Sequence, residues 1–203
     1  EAEYVDETGH LWYLRYPLAE PVDGLEYLVV ATTRPETMLG DTGVAVNPKD
    51  ERFGHLVGKT VKLPLVDREI PIFADWHVDT EFGTGCGKVT PSHDPNDWAM
   101  GERAGLERIN IFDETAHVVE GYGKFSGMDR DEAREAIVAA FDELGLLDHV
   151  EDHDHSVMTC YRCHTKLEPW ESEQWFVAVD ALKEPAARVV EDGSIQFHPA
   201  RWK

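Results

Sequence analysis

Apolar and polar positions alternate along this chain in short runs, the pattern of a sheet whose strands bury one face. The strongest run, residues 25–33, reads Leu-Glu-Tyr-Leu-Val-Val-Ala-Thr-Thr and is expected as a buried strand. Arg34-Pro35 halts it. Glu36-Thr37-Met38-Leu39 then suits a helical turn, with Pro placed where a missing N–H costs nothing. Upstream, residues 3–6 and 11–16 flank the turn-rich Glu7-Thr8-Gly9-His10 and are expected as a hairpin. Further short strands are expected at 42–46, 60–65, 69–74, 87–90 and 109–112, punctuated by Gly, Pro, Asn or Asp. Two helices interrupt them, at about 95–103 and 130–146. In the second, Ala133, Ile137, Ala140, Phe141 and Leu144 recur at helical spacing. The pattern predicts a barrel-like or sandwich sheet with helices at its edge.

Past Gly145 the composition changes. Residues 148–170 are rich in His, Asp and Cys and poor in aliphatics, as in a small metal-bearing lobe, while 173–179 reads as a strand, 181–190 as a helix and 194–197 as a last strand. The expected organisation is therefore a core over 1–147, a Cys/His-bearing lobe over 148–170 and a final strand–helix unit over 171–203.

Composition narrows the class. The chain has 203 residues with 42% hydrophobic content, enough for a packed core. No apolar stretch approaches the roughly 20 residues that cross a membrane, and the start lacks the features of a signal peptide, so a cytoplasmic setting with no membrane partner is expected. Forty acids against 19 bases give a formal charge of −21, dispersed along the chain. Such a surface repels phosphate, but dispersed acids with scarce Lys also fit a salty cytoplasm, where screening makes self-repulsion tolerable. The halophilic reading is preferred, and it leaves nucleic-acid binding open without a basic patch. Three Cys, two of them as Cys160-Tyr161-Arg162-Cys163, point to a metal pair in a reducing compartment rather than to disulfides. Cys160 and Cys163 are half of a structural zinc site, to be completed by His153, His155 or His164 or by a second Cys pair outside this segment.

Three polar segments adjoin apolar strands. In Thr32-Thr33-Arg34-Pro35-Glu36-Thr37, hydroxyls beside a forked Arg donor could hold a phosphate or sugar, or simply cap a strand. In Phe82-Gly83-Thr84-Gly85-Cys86-Gly87-Lys88-Val89-Thr90, three glycines allow close approach of backbone to a ligand or make a tight turn. Its spacing fits no Walker loop or dinucleotide fingerprint. Lys88 and Thr90 share one strand face there, as a pocket wall requires. In Ser92-His93-Asp94-Pro95-Asn96-Asp97, Asp94 is a helix N-cap and Asp97 lies in the first turn, two carboxylates that also suit an ammonium group. Cys86 reads as a small buried side chain rather than a nucleophile.

The order and wording of these segments closely resemble one family. Ala31-Thr32-Thr33-Arg34-Pro35-Glu36-Thr37-Met38-Leu39-Gly40-Asp41, then Gly58-Lys59-Thr60, Leu63-Pro64-Leu65, Phe82-Gly83-Thr84-Gly85 and His93-Asp94-Pro95-Asn96-Asp97 are similar to the editing insertion of class I aminoacyl-tRNA synthetases of the valyl type. Gln174-Trp175-Phe176-Val177 resembles its return strand toward the catalytic domain. The resemblance implies a mixed β-barrel with peripheral α-helices. It also implies an activity, hydrolysis of threonine from mischarged tRNA(Val), with the tRNA 3′ acceptor end and the parent catalytic domain as partners and the isolated domain a monomer. By the same resemblance Asp97 holds the substrate α-ammonium, and Lys88, Thr90 and Asp94 recognise the threonine side chain. Thr37 and Phe82 line the pocket, and Thr32, Thr33 and Arg34 surround the terminal adenosine and ester. No cofactor is implied for editing; ATP and Mg would belong to the parent catalytic domain, and zinc to Cys160 and Cys163 with a partner pair upstream. With no Ser-His-Asp or Cys-His arrangement evident, positioning and electrostatics are expected to carry the rate. A leucyl- or isoleucyl-type editing domain and a non-catalytic tRNA-binding module are the alternatives.

Overall fold

The computed structural model describes residues 2–202; Glu1 and Lys203, the outer ends of the first and last expected units, lie outside them. The described chain forms two compact units, residues 2–171 and 172–202. The first holds seven strands: β1 (Ala2–Val22), β2 (Leu25–Thr32), β3 (Gly43–Val46), β4 (Thr60–Leu63), β5 (Arg68–Ala74), β6 (Cys86–Val89) and β7 (Leu147–Cys160). They hydrogen-bond in the order β2-β1-β4-β5-β3-β6, with β7 also on β1, and the sheet curls into a half-barrel. The β3–β5 pair is parallel and the other pairs antiparallel. This mixed, mainly β architecture with peripheral helices is the expected fold class.

Strand β1 organises the sheet. Its residues 12–17 pair with β2 along one edge, and residues 2–14 pair with β7 along the other until Leu18 meets Val61 of β4. The expected hairpin does not form: residues 7–10 continue the strand. Gly9 lets the His155 ring pass close by, since a Cβ would lie 2.5 Å from its Cε1 and push the ring aside. Residues 148–160 likewise form no separate lobe. They are β7, whose pairing with β1 makes a ribbon largely exposed on both faces, so polar residues suit it and the alternation that marks a half-buried strand is missing.

The core beneath the sheet is built from Leu14, Tyr16, Leu28, Val30, Met38, Leu39, Val44, Ile70, Ile72 and Ile111, closed by Ile137 and Phe141 of α2 (Arg130–Glu143). Helix α1 (Pro95–Ala104) starts where expected, with the Asp94 side chain accepting from Asn96 N and Asp97 N. It stops at Gly105 in the left-handed region, φ 66°. Residues 109–112 make only an isolated bridge, Phe112 to Val118, instead of a strand. The second unit contains α3 (Asp180–Glu191) and a final short turn; neither 173–179 nor 194–197 is a strand.

Candidate functional site

One cavity of about 310 Å³ gathers the polar segments, near the small end of the roughly 300–1,000 Å³ typical of small-molecule sites. Thr32, Thr33, Arg34, Thr37, Phe82, Lys88, Thr90, Asp94 and Asp97 all line it. Four local structures bring them together. The end of β2 supplies Thr32, and the following 3-10 turn, Pro35–Gly40, turns Thr37 inward. The loop before β6 holds Gly83 and Gly85 at φ 57° and 80°, a backbone that other residues rarely adopt, and brings Phe82 to the rim. Strand β6 and the residue after it present Cys86, Lys88 and Thr90 on one side, and the start of α1 delivers Asp94 and Asp97.

Lys88 is the centre of the polar wall. Its side chain is 8% exposed, and Nζ donates to Thr37 Oγ1 (2.8 Å), Thr90 Oγ1 (2.7 Å) and Asp41 Oδ1 (3.1 Å). Asp41 is wholly buried, accepts the Thr90 hydroxyl at 2.5 Å and receives the Tyr16 hydroxyl on its other oxygen at 2.7 Å. Burial and the neighbouring Asp41 carboxylate push the Tyr16 phenol well above its usual range. Adjoining this wall, Asp97 Oδ2 accepts Thr90 N–H at 2.8 Å. Burial raises the Asp97 carboxyl to about 6, against the pull of Lys88 and the Thr90 amide. Asp94 both caps α1 through Oδ1 and lines the cavity, so its two readings are compatible.

The rim is fixed by a second network. Arg34 donates through one Nη to the His93 carbonyl at 2.8 Å and through the other to Glu168, which also accepts from Arg130 at 3.1 Å. Glu36 lies wholly buried below and takes a bidentate pair of bonds from Arg134, 2.8 and 2.7 Å. His93 is buried, accepts Ile111 N–H on Nε2 at 3.0 Å, and directs Nδ1 toward the Pro169 carbonyl without reaching hydrogen-bond geometry. Burial and the charge of Arg34 lower it to about 4, so it is neutral at pH 7. Burial pushes the Cys86 thiol up to about 12, which removes it as a nucleophile near neutral pH.

No family model matches the chain. Its whole length is, however, 54% identical to valine–tRNA ligases of Petrotoga mobilis and Thermotoga maritima, and likewise to that of Clostridium tetani. In each case the chain spans 23% of the relative. In fold it is similar to GlLeuRS-CP1, with a TM-score of 0.55 at 16% identity over 71% of this chain and 99% of that one. The chain is thus similar over its whole length to one segment of valine–tRNA ligases, and that segment is CP1-like in fold. A second likeness, TM-score 0.53 at 17% identity over 81% of this chain and 24% of the other, is to Agrobacterium radiobacter K84 agnB2 LeuRS in its ternary complex with tRNA and LeuAMS.

Cys160 and Cys163 lie at the end of β7 and in the turn after it. Cys163 Sγ lies 3.3 Å from Thr165 Oγ1 in the turn after β7, and hydrogen bonds from Thr165 and the Cys160 thiol lower it to about 7. Among the described residues no group of three or more His, Cys, Asp or Glu converges to hold a metal. His155 instead meets Glu7 and stacks with His153. These residues offer two sulfurs and no third ligand, so they do not by themselves fit a tetrahedral zinc ion.

Asp41 and Tyr16 had no role assigned from sequence, although Asp41 ends the first segment of the resemblance. An acid directly after Met-Leu-Gly, in otherwise apolar surroundings, was the available signal: a buried carboxylate needs a cation, and Lys88 is it. Tyr16 in an alternating strand offered none.

Proposed function

We propose that this domain is the editing deacylase of its synthetase, hydrolysing the ester of threonyl-tRNA(Val) and sparing valyl-tRNA(Val). One observation carries the reading. A cavity of aminoacyl size has a wall of Lys88, Thr37 and Thr90 beside the Asp97 carboxylate, so that groups for hydroxyl recognition and for ammonium recognition adjoin. The chemical problem fits. Threonine and valine are near-isosteres, so a hydrophobic synthetic pocket rejects threonine only about a hundredfold, a limit for which valyl enzymes are the general example. A polar second site reverses the preference, because valine would leave the groups of this wall without a partner for the hydroxyl.

Each side chain then has a task. Asp97 neutralises and orients the α-ammonium, while Lys88, Thr90 and Asp94 surround the side chain and Thr37 and Phe82 complete the wall. Thr32, Thr33 and Arg34 hold the ester and terminal adenosine. The attacking water is positioned between these groups and a ribose hydroxyl, so rate comes from orientation and local charge. The acceptor end is accommodated by a neighbouring hollow of about 690 Å³, which shares Thr33, Arg34 and Asp94 with the cavity and carries Arg130 and Lys166. Those cations now pair with Glu168 and Glu7, which a phosphate would displace. The parent catalytic domain is the remaining partner.

Deacylation of threonyl- and valyl-tRNA(Val) by the purified protein and by Asp97→Ala tests this. Faster loss of threonine than valine, abolished in the variant, is expected. Equal rates on both esters, or threonine loss no faster than in buffer, would remove the proposal.

A further inference from the structure

We infer that Asp41 is the positioning residue that makes the cavity's hydroxyl wall an acceptor, so that a substrate is chosen for a hydroxyl able to donate. This deepens the editing reading and rests on it. The argument is an inventory of protons. An ammonium has three to give and no lone pair, and a threonine hydroxyl has one to give and two lone pairs. All three Lys88 protons are directed at protein oxygens: Thr37 Oγ1, Thr90 Oγ1 and Asp41 Oδ1. The Thr90 proton goes to Asp41 Oδ1 at 2.5 Å, since a carboxylate can only accept. The Thr37 proton goes to the Arg34 carbonyl at 3.0 Å for the same reason. No proton of this wall remains for a ligand. Each threonine oxygen has accepted one bond from Lys88 and keeps one lone pair.

Asp41 sets this direction. It is wholly buried and its second oxygen is held by the Tyr16 hydroxyl at 2.7 Å, so it cannot swing away from Thr90. With a donor in its place the Thr90 proton would be free to turn toward the cavity, and Lys88 would lose its only carboxylate partner at salt-bridge distance among the described residues. The same logic covers the neighbouring Asp97, also an acceptor, which takes the Thr90 N–H. The cavity is thus matched to a ligand that arrives with donors at both ends, an α-ammonium and a β-hydroxyl.

O-methylserine distinguishes the two kinds of wall. It is an isomer of threonine whose oxygen sits on the same β-carbon but carries no proton. The experiment follows hydrolysis of threonyl- and O-methylseryl-tRNA by the full-length synthetase that carries this chain, for wild type, Asp41→Ala, Asp41→Asn and Tyr16→Phe, with thermal unfolding recorded for each. The expected wild-type preference in kcat/KM for the threonyl ester is on the order of 100-fold, the scale of one forfeited hydrogen bond to charged or buried groups. In Asp41→Ala, run beside Asp41→Asn and lacking any acceptor for the Thr90 proton, that ratio collapses to within a few-fold; Asp41→Asn, whose amide oxygen still accepts, and Tyr16→Phe, which keeps the carboxylate and loosens it, lower the ratio only part of the way. A wild type that hydrolyses both esters equally well, or variants that fold and keep the full ratio, would overturn the inference. A wild type that fails to hydrolyse threonyl-tRNA above the buffer rate sinks the editing reading itself, a result distinguishable from the other two.

Discussion

Replacing Asp97 by Asn should make the protein more stable above pH 6 while removing its activity. The carboxyl titrates at about 6 in the folded state against a reference of 3.8, because burial against Thr90 and the α1 start removes water faster than Lys88 and the Thr90 amide restore the charge. The sign follows from linkage. Below pH 3.8 both states are protonated and the group is neutral for stability. Between 3.8 and 6 the unfolded chain ionises first, so folding loses free energy as pH rises, and above 6 the loss is complete. A shift of about two units at about 1.4 kcal/mol each gives roughly 3 kcal/mol, reduced to about 2 kcal/mol because the side chain is not fully removed from water. Asn cannot ionise and keeps an oxygen for Thr90 N–H. His93 works in the opposite direction, its neutral form favoured down to about 4, so acid destabilises the fold through it. That contribution is common to both proteins and cancels in the comparison. Urea unfolding of wild type and Asp97→Asn, followed by tryptophan fluorescence from about pH 4.5 to 7.5, reads the difference directly. The variant's advantage should grow through this range and level off near 7. A difference that stays flat with pH, or a variant less stable than wild type at pH 7, refutes the buried-carboxylate account.

Three further outcomes are expected. Arg134→Met leaves the buried Glu36 carboxylate without its bidentate partner and should cost about 3 kcal/mol in denaturant unfolding, within the range for breaking a buried ion pair; a loss below about 1 kcal/mol would show that Arg34, with Nε 3.7 Å from Glu36, suffices. Alkylation of the native protein at pH 7 in the presence of a chelator should modify the exposed Cys163, whose thiol lies near 7, and spare the buried Cys86, with mass spectrometry of peptides as the check. With a formal charge of −21, the urea midpoint should rise between about 0.05 M and about 1 M KCl as the screening length contracts to ~3 Å; an unchanged or falling midpoint contradicts the self-repulsion reading.

Much of the fold follows from local pattern. β2, β5 and the two helices of the first unit lie near their expected places because each has one buried face, so apolar spacing shows it, and because Asp94, Pro95 and Gly105 mark both ends of α1. Where the pattern misled, pairing outweighed local signal. Gly9 and His10 look like a turn, yet both continue β1 in register with His153 and Asp152 of β7. Residues 148–160 look like a polar lobe because a ribbon exposed on both faces shows no alternation. The convergence was legible, since the nine residues named from strand ends, glycine loop and helix start all line one cavity. Its wiring was not: Tyr16, Asp41, Lys88 and Thr90 come from separate parts of the sheet and meet only through the register of β1, β3 and β6.

The central claim is that this cavity prefers a hydroxyl to a methyl on the same carbon skeleton. Calorimetric titration with non-hydrolysable threonyl- and valyl-amide analogues of the terminal adenosine tests it without relying on catalysis. Threonyl analogue binding tighter by on the order of 100-fold, with the gap closing in Lys88→Met, is the result the account predicts. Equal affinity for the two analogues would contradict it.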